Sequence, residues 1–348
     1  MNDLERYQCQ MALPGFGKEA QERLRNARIL VVGAGGLGCP ALQYLAAAGI
    51  GTLGIADDDT VSESNLHRQI LYTPEDTGLP KAETAAKKLR RQNPSVNVMV
   101  HNERVTSANV AGLIAGYDLI IEGTDNFETK TLLNDACVLA GKPLVYGAIY
   151  QFEGQVAVWN VKQADGSFSA HYRDVFPGAE HAQVPNCRDG GVIPTLAGIV
   201  GCMQANEALK FFTRPEELLA GKLWMINLAN GKTRIIQLKK HTQTAMAGLS
   251  PTVQQLSWEE VQEKLKHPRV ALIDVRTEDK HQHFHVGGKN IPIDQLESRS
   301  AELEPYDELI FYCTSGNKST RAARLSASLL PDSKVYSLIN GISSLKQE

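Results

Sequence analysis

The sequence lacks the features that mark membrane, secreted and nucleic-acid-binding proteins. Its apolar runs are all shorter than the roughly 18 residues that a membrane span needs, and the opening MNDLERYQCQ has neither the basic nor the apolar region of a signal peptide. The formal net charge is only −3, so the chain has no bulk attraction for polyanions. We therefore expect a cytoplasmic protein whose main partner is neither a membrane nor a nucleic acid.

Cysteine is also scarce, and no two cysteines form a C-x-x-C pair. The six are Cys9, Cys39, Cys137, Cys187, Cys202 and Cys313. This spacing argues against a disulfide scaffold and against structural zinc. Three of them lie in apolar helical stretches and are predicted to be small core residues, namely Cys39, Cys137 and Cys202. Any cysteine with a chemical role should act as a thiolate.

The order of the segments predicts two α/β domains. From residue 28 to about residue 148, near-continuous apolar strands alternate with helical segments, which indicates a doubly wound parallel sheet covered on both faces. Further strands follow, divided by a stretch predicted to be irregular over residues 163–189. KHTQTAMAGLSPTVQQ has few large apolar residues and reads as a linker, after which the alternation restarts. The predicted domains are residues 1–240 and 255–348, joined by a linker at 241–254.

The stretch ILVVGAGGLGCP combines a strand, a glycine-rich turn and the start of a helix. Its G-x-G-x-x-G spacing is that of a dinucleotide fingerprint, and the glycines of the turn are Gly33, Gly35, Gly36 and Gly38. Asp57 stands about nineteen residues past Gly38, where it can accept a hydrogen bond from a ribose hydroxyl. On these features alone, a NAD-dependent oxidoreductase remains an open alternative.

The segments that follow favour ATP over a nicotinamide cofactor. DDDTVSESNLHRQILY supplies Asn65 and Arg68, and LPKAE supplies Lys81. EGTDNFETK places Asp125 and Asn126 after the fourth strand, at the sheet edge where α/β proteins bind ligands. ATP carries about four negative charges and needs side-chain cations and a metal ion. Arg68 and Lys81 fit the cations, and Asp125 fits a Mg²⁺ ligand.

Together these motifs resemble the family of ATP-dependent activating enzymes of ubiquitin-like sulfur carriers, which includes the molybdopterin-synthase and thiazole-biosynthesis adenylyltransferases. The resemblance rests on GAGGLG, DDDTVSESNLHRQ, PKAE, TDN and NCRDGGV, in that order, over residues 4 to about 239. It implies a mostly parallel Rossmann-like sheet with a crossover loop. It also implies that the C-terminal Gly-Gly carboxylate of a carrier protein attacks the α-phosphate of ATP, giving an acyl-adenylate and pyrophosphate. Asp57 would then hold the ribose.

Two cysteines are candidates for handling sulfur. Cys187 lies in VPNCRDGGV beside Arg188 and ahead of a helix, features that favour a thiolate. In the family that the chain resembles, this position carries the crossover-loop cysteine implicated in thioester or persulfide chemistry. Cys313 lies in FYCTSGNKST, where a strand end, Gly316 and a helix start predict backbone amides pointing at the sulfur.

The second domain resembles a rhodanese sulfurtransferase, a small α/β domain. The resemblance rests on LIDVRTEDK, HVGGKNIP and LINGISSL around the Cys313 loop. An inactive rhodanese fold kept as a docking module is the alternative. His281, His283 and His285 alternate along the chain, and we interpret them as a solvated run rather than a metal site.

The sequence departs from this family at two places. Many members hold zinc with two C-x-x-C pairs, where this chain has HYRDVFP and KKHTQTAMAG, so zinc bound in that way is excluded. Relatives commonly carry RYxRQ, whose second arginine reaches the triphosphate of the partner subunit in a homodimer. That position is Cys9 here, which leaves Arg6 as the candidate intersubunit finger.

The resemblance thus implies a homodimeric enzyme that uses ATP and Mg²⁺, and the missing C-x-x-C pairs predict no structural zinc. Its expected partners are a Gly-Gly-ending sulfur carrier and a persulfide sulfur donor such as a cysteine desulfurase. The molybdopterin pathway is the first interpretation and the thiazole pathway the alternative. From other classes, a NAD-dependent oxidoreductase and a non-catalytic binding module stay open.

Overall fold

The structure is a computed structural model that describes residues 4–177, 190–239, 249 and 253–345. The chain divides into two compact units, Met1–Ser250 and Pro251–Glu348. Each unit has its own sheet and its own hydrophobic cores. Among the described residues, none of the helices combines the length and the apolar character that a membrane crossing requires.

The sheet of the first unit has eight strands. They are β1 (Arg28–Val32), β2 (Thr52–Ala56), β3 (Asn97–His101), β4 (Leu119–Glu122), β5 (Leu144–Tyr150), β6 (Glu153–Trp159), β7 (Lys222–Asn227) and β8 (Lys232–Gln237). Their order is β3-β2-β1-β4-β5-β6-β7-β8. The pairs from β3 to β5 are parallel, and those from β5 to β8 are antiparallel. The strand order reverses between β1 and β4, which is where open α/β sheets bind ligands.

Helices cover this sheet on both faces. They are α1 (Gln8–Met11), α2 (Gly17–Asn26), α3 (Gly38–Ala48), α4 (Lys81–Gln92), α5 (Val110–Ala115), α6 (Phe127–Leu139), α7 (Tyr172–Val175) and α8 (Pro194–Thr213). Alternate residues of β1 enter opposite cores: Ile29 packs in the core that contains residues of α3, α4 and α8, whereas Leu30 packs in the core that contains residues of α5 and α6. Because both faces are buried, β1 reads as a continuous apolar run. The predicted doubly wound, mostly parallel sheet is confirmed.

In the described part of the stretch predicted to be irregular, residues 163–177, there is one short helix. Helix α7 begins after His171, whose side chain and that of Asp174 form a reciprocal capping box. Tyr172 also packs against Tyr146 and Phe176, with ring centroids 5.4 and 5.1 Å away. Capping and aromatic packing therefore stabilise a helical turn that sequence periodicity did not show.

The second unit has a smaller, fully parallel sheet. Its strands are β9 (Gln254–Leu256), β10 (Val270–Asp274), β11 (Lys289–Asn290), β12 (Glu308–Tyr312) and β13 (Lys334–Leu338). Their order is β11-β10-β12-β13-β9. Its helices are α9 (Trp258–Lys264), α10 (Glu278–His283) and α11 (Asn317–Leu329). Phe311 and Ile310 of β12 enter separate cores, so this sheet is also buried on both faces. The second, small α/β domain is confirmed as well.

Candidate active sites

The glycine-rich turn lies at the carboxyl end of β1, against the turn that follows β4. Gly33 has a φ of +95°, and a β-carbon there would lie 2.7 Å from the carbonyl oxygen of Gly123. A β-carbon on Gly38 would lie 1.9 Å from the carbonyl oxygen of Gly33. Only glycine fits such close approaches. These contacts bring the predicted phosphate cradle next to the Asp125 turn.

Asp57 follows β2 and braces the glycine-rich turn. One carboxylate oxygen accepts a hydrogen bond from the backbone amide of Ala34 at 2.7 Å, and the other from that of Asp59 at 2.9 Å. Burial raises the pKa of Asp57 above its usual range, although nearby Lys81 opposes the shift. Each oxygen keeps a second lone pair, so the carboxylate can also accept from a ribose hydroxyl.

Arg68 and Asn65 lie together beside the same turn. The Arg68 Nη2 donates to Asn65 Oδ1 at 3.0 Å, and Asn65 is buried. The Arg68 methylenes run over Gly36, because a β-carbon on Gly36 would lie 3.6 Å from Cγ and Cδ. Fixed in this way, the guanidinium lies next to the backbone that would receive phosphates.

Lys81 is the first residue of α4 and is almost completely buried. Its ammonium pairs with Asp59 at 2.9 Å, and the Asp59 side chain is 71% exposed. An exposed carboxylate is easily displaced into water, whereas the buried ammonium needs an anion beside it. An incoming phosphate can therefore take the place of Asp59.

Asp125 and Asn126 follow β4 at the same edge, and both are exposed. The Asn126 side chain accepts a hydrogen bond from the amide of Thr129 at 2.8 Å, which makes it the N-cap of α6. Its side-chain oxygen is thus already used in the fold. Asp125 leaves an unburied carboxylate at the edge of the sheet.

A buried ion pair under this turn was missed by the sequence reasoning. Glu122, the last residue of β4, is fully buried, and one of its oxygens accepts from the backbone amide and hydroxyl of Thr124 at 2.7 and 2.5 Å. Its other oxygen binds the ammonium of Lys130, which also donates to the carbonyl of Gly147 at 2.9 Å. The pair anchors the turn that carries Asp125. A carboxylate in an apolar strand requires a buried partner, so the position of Glu122 in the sequence could have indicated that a buried cation pairs with it.

One predicted site residue, Arg6, is not brought to this cradle within its own chain. Arg6 is exposed and donates to the carbonyl of Gln92 at 3.2 Å, at the end of α4 in the same chain. Its role as an intersubunit finger stays a prediction. Cys187 lies outside the described residues.

The helical cysteines are mostly core residues. Cys39 and Cys137 are buried as predicted, and burial raises the pKa of each to about 12. Cys202 is half-buried rather than buried, and burial raises its pKa too. Thiols with raised pKa values are poor nucleophiles at neutral pH.

In the second unit, Cys313 lies directly after β12 in a cradle of hydrogen-bond donors. The backbone amide of Gly316 points at its sulfur at 3.2 Å, as predicted, and Ser319 Oγ lies 3.5 Å from the sulfur. Gly316 has a φ of +91° and precedes α11, so the turn that aims its amide needs the left-handed region. The cradle favours a thiolate or a persulfide anion at Cys313.

His281 is half-buried and bound to a carboxylate, which corrects the interpretation of a solvated run for this residue, whereas His283 and His285 are exposed. Asp274 at the end of β10 is fully buried and binds Arg276 through Nη2 at 2.6 Å and His281 through Nδ1 at 2.8 Å. The His281 and His285 rings stack with centroids 4.3 Å apart. Burial opposes the charge of Asp274, but the hydrogen bonds outweigh it and lower its pKa. In the described ranges, no group of three or more metal-binding side chains is assembled.

These two sites place the chain in the class of adenylyltransferases that carry a sulfurtransferase domain, a class that comparison with known proteins supports. The model of the ThiF family matches residues 7–246, and the model of the rhodanese-like domain matches residues 257–348. The chain belongs to the ThiF family and carries a rhodanese-like domain.

Three relatives align with between 73% and 92% of this chain. It is 38% identical over 347 residues to the probable adenylyltransferase/sulfurtransferase MoeZ of Mycobacterium tuberculosis, covering 92% of this chain and 87% of the relative. It is 46% identical over 255 residues to the sulfur carrier protein adenylyltransferase of Thermus thermophilus, covering 73% and 94%. It is also 38% identical to the probable molybdopterin-synthase adenylyltransferase of Porphyra purpurea, covering 92% and 87%.

Among solved structures, the crystal structure of E. coli MccB with ATP has a TM-score of 0.61 at 18% identity, covering 71% of this chain and 75% of that one. This likeness shows the fold of the first unit and nothing more.

Proposed function

We propose that this enzyme adenylates the terminal Gly-Gly carboxylate of a ubiquitin-like sulfur carrier and then helps to convert it to a thiocarboxylate. The observation that carries the proposal is the set of groups beside one sheet edge: the glycine-rich turn, Arg68, Lys81 and Asp125. The functional domains would be residues 1–240 and 255–348, joined by the linker 241–254.

In the first step, a carboxylate oxygen of the carrier attacks the α-phosphorus of ATP. The bond from that phosphorus to its bridging oxygen breaks, and pyrophosphate leaves with the electron pair. Arg68 and Lys81 would neutralise charge on the triphosphate, and the backbone of the glycine-rich turn would approach it closely. Asp57 would accept from the ribose while it braces the turn.

Asp125 is the candidate Mg²⁺ ligand. Its exposed carboxylate offers the hard oxygen donor that Mg²⁺ prefers, and nucleotide phosphates and water commonly complete the coordination of this ion. When bound, Mg²⁺ neutralises negative charge on the phosphates. The Glu122–Lys130 pair would hold the turn that presents Asp125.

Cys313 is the candidate acceptor of sulfur. Its thiolate would attack the outer sulfur of a persulfide donor such as a cysteine desulfurase, the donor's S–S bond would break, and the donor would leave as a thiolate. Attack of the Cys313 persulfide on the acyl-adenylate would expel AMP and leave an acyl disulfide. A thiol would then attack the Cys313 sulfur of this acyl disulfide, which releases the thiocarboxylate and leaves a disulfide between that thiol and Cys313. A dithiol reductant would reduce this disulfide and be oxidised to a disulfide itself. Cys187 is our candidate for the attacking thiol.

The names of the relatives favour the molybdopterin pathway for the carrier, with the thiazole pathway as the alternative. We also propose a homodimer in which Arg6 of one subunit reaches the nucleotide of the other, because in its own chain Arg6 contacts Gln92, at the opposite end of α4 from Lys81. A panel of Gly-Gly-ending small proteins from the same organism separates the two pathways.

Two variants should separate the two activities. Asp125→Ala should lower carrier-dependent ATP–pyrophosphate exchange by on the order of 10²-fold or more, while sulfur transfer from thiosulfate to cyanide stays at the wild-type level. Cys313→Ser should abolish sulfur transfer from thiosulfate to cyanide and leave ATP–pyrophosphate exchange at the wild-type level. Asp165→Ala, which removes an exposed carboxylate from the connection between β6 and α7, is the matched control and should leave both activities unchanged. Loss of both activities in either test variant would contradict the two-site assignment.

A further inference from the structure

Two buried hydroxyls form a chain that ends at the sulfur of Cys313. Ser319 on α11 has its Oγ 3.5 Å from the sulfur, and Ser337 on β13 donates to Ser319 Oγ at 2.9 Å. Both serines are fully buried. Ser337 lies outside the Cys313 loop: it pairs in register with Phe311 on the neighbouring strand β12. Two separate elements therefore supply the chain.

The Ser319 proton has two competing acceptors. Its Oγ lies 2.9 Å from the carbonyl oxygen of Gly316 and 3.5 Å from the sulfur. The Gly316 oxygen also accepts from the backbone amide of Thr320 at 3.0 Å and from the Thr320 hydroxyl at 2.9 Å. A carbonyl oxygen has two lone pairs, and three donors lie within reach of this one; the Thr320 hydroxyl also lies 3.3 Å from Ser337 Oγ. The Ser319 proton can turn to the sulfur without leaving this carbonyl unsatisfied.

The Ser337 hydroxyl determines where Ser319 can donate. A hydroxyl has one proton, and that of Ser337 is directed at Ser319 Oγ. This bond occupies a lone pair of Ser319, holds its oxygen in place and polarises its O–H group. Because both serines are fully buried, a water molecule cannot substitute for a lost hydroxyl unless a cavity opens.

We propose that Ser337 is a positioning residue for sulfur transfer, whose hydroxyl holds Ser319 so that Ser319 donates a hydrogen bond to the Cys313 thiolate. The inference rests on the proposed role of Cys313 as the sulfur acceptor. In the assay reaction, the thiolate attacks the outer sulfur of thiosulfate, the S–S bond breaks, and sulfite leaves with the electron pair. Cyanide then removes the bound sulfur as thiocyanate and restores the thiolate.

The test measures how readily the Cys313 thiolate forms in the full chain. Iodoacetamide alkylation is followed across pH by mass spectrometry of the Cys313 peptide, which separates it from the other cysteines. Ser337→Ala should move the midpoint of this pH profile upward by about half to one pH unit. The rate of thiosulfate:cyanide transfer below the midpoint should fall about 3- to 10-fold. Ser337→Thr, which keeps the hydroxyl, should restore both. Ser326→Ala is the matched control, because Ser326 is a buried serine of α11 whose hydroxyl has no hydrogen-bond partner in the described ranges.

A Ser337→Ala protein that folds and keeps the wild-type pH profile would overturn the proposal. If that variant does not fold, Ser319→Ala decides, since it removes the donor itself and must shift the midpoint upward; an unshifted profile would again overturn it. Failure of the proposed function looks different. If Cys313 were not the sulfur acceptor, Cys313→Ser would retain sulfur transfer. The pH profile of Cys313 alkylation in the serine variants would still show whether the two hydroxyls stabilise the thiolate.

Discussion

Replacing Lys130 with methionine tests the buried ion pair beneath the Asp125 turn. The substitution keeps most of the side-chain volume but removes the ammonium that binds Glu122 and Gly147. The fully buried Glu122 carboxylate would then lack its charged partner. Breaking a buried pair in this way typically costs about 3–5 kcal/mol, because an uncompensated charge stays in a low-dielectric interior.

In a unit of this size, about 1 kcal/mol of lost stability lowers the melting temperature by roughly 2–4 °C. We therefore expect Lys130→Met to lower it by about 6–20 °C. The assay is differential scanning calorimetry of the full chain. ATP stabilises the unit that binds it, so the transition that ATP raises is the one to follow.

Two controls make the result specific. The double variant Glu122→Gln, Lys130→Met removes both charges and should recover a large part of the loss. Lys87→Met removes an exposed ammonium from α4 and should have little effect. If Lys130→Met melted within about 2 °C of the wild type, the pair would not anchor the turn and the reasoning would be refuted.

Three further predictions concern other parts of the chain. The native pKa of Asp274 is lowered, so the stability that this carboxylate contributes should be complete above the ordinary pKa of about 4 and should disappear as the pH falls through the lower native pKa. Asp274→Asn should therefore reduce the fall of the second unit's melting temperature at acid pH. An acid-pH melting profile equal to that of the wild type would contradict the prediction. Arg6→Ala should strongly lower pyrophosphate exchange at saturating ATP, whereas Cys9→Arg should leave it unchanged or raise it; an unaffected Arg6→Ala enzyme would remove the support for an intersubunit finger. Elemental analysis of the purified protein should find no stoichiometric zinc, and a chelator should not change the melting temperature; about one zinc per chain would refute the expectation based on the missing C-x-x-C pairs.

The sequence was most informative where local pattern and local chemistry coincide. The apolar run of β1 and the glycines after it predict a strand, a tight turn and a helix start, because each feature depends only on neighbouring residues. The cradle at Cys313 was predictable for the same reason, since Gly316 and the start of α11 lie in the same short loop.

The missed features depend on pairings across the fold. Lys130 meets Glu122 because α6 packs back on β4. Lys81 meets Asp59 because the start of α4 lies beside the β2 loop, with the Lys81 amide donating to the Asp59 carbonyl at 2.9 Å. His281 of α10 binds Asp274, which is the last residue of strand β10. Residue type and spacing show that such groups need partners, but only the tertiary structure shows which partners they have.

We propose that one enzyme activates the terminal carboxylate of a carrier with ATP and exchanges one of its oxygens for sulfur. The intact mass of a Gly-Gly-ending carrier, measured after incubation with the enzyme, ATP, Mg²⁺, a persulfide donor and a dithiol, tests this directly. We expect the mass increase that replacing one oxygen by sulfur produces. We expect no such increase without ATP, with a carrier lacking its last glycine, or with Asp125→Ala. An equal increase without ATP, or no increase with any carrier of the organism, would refute this function.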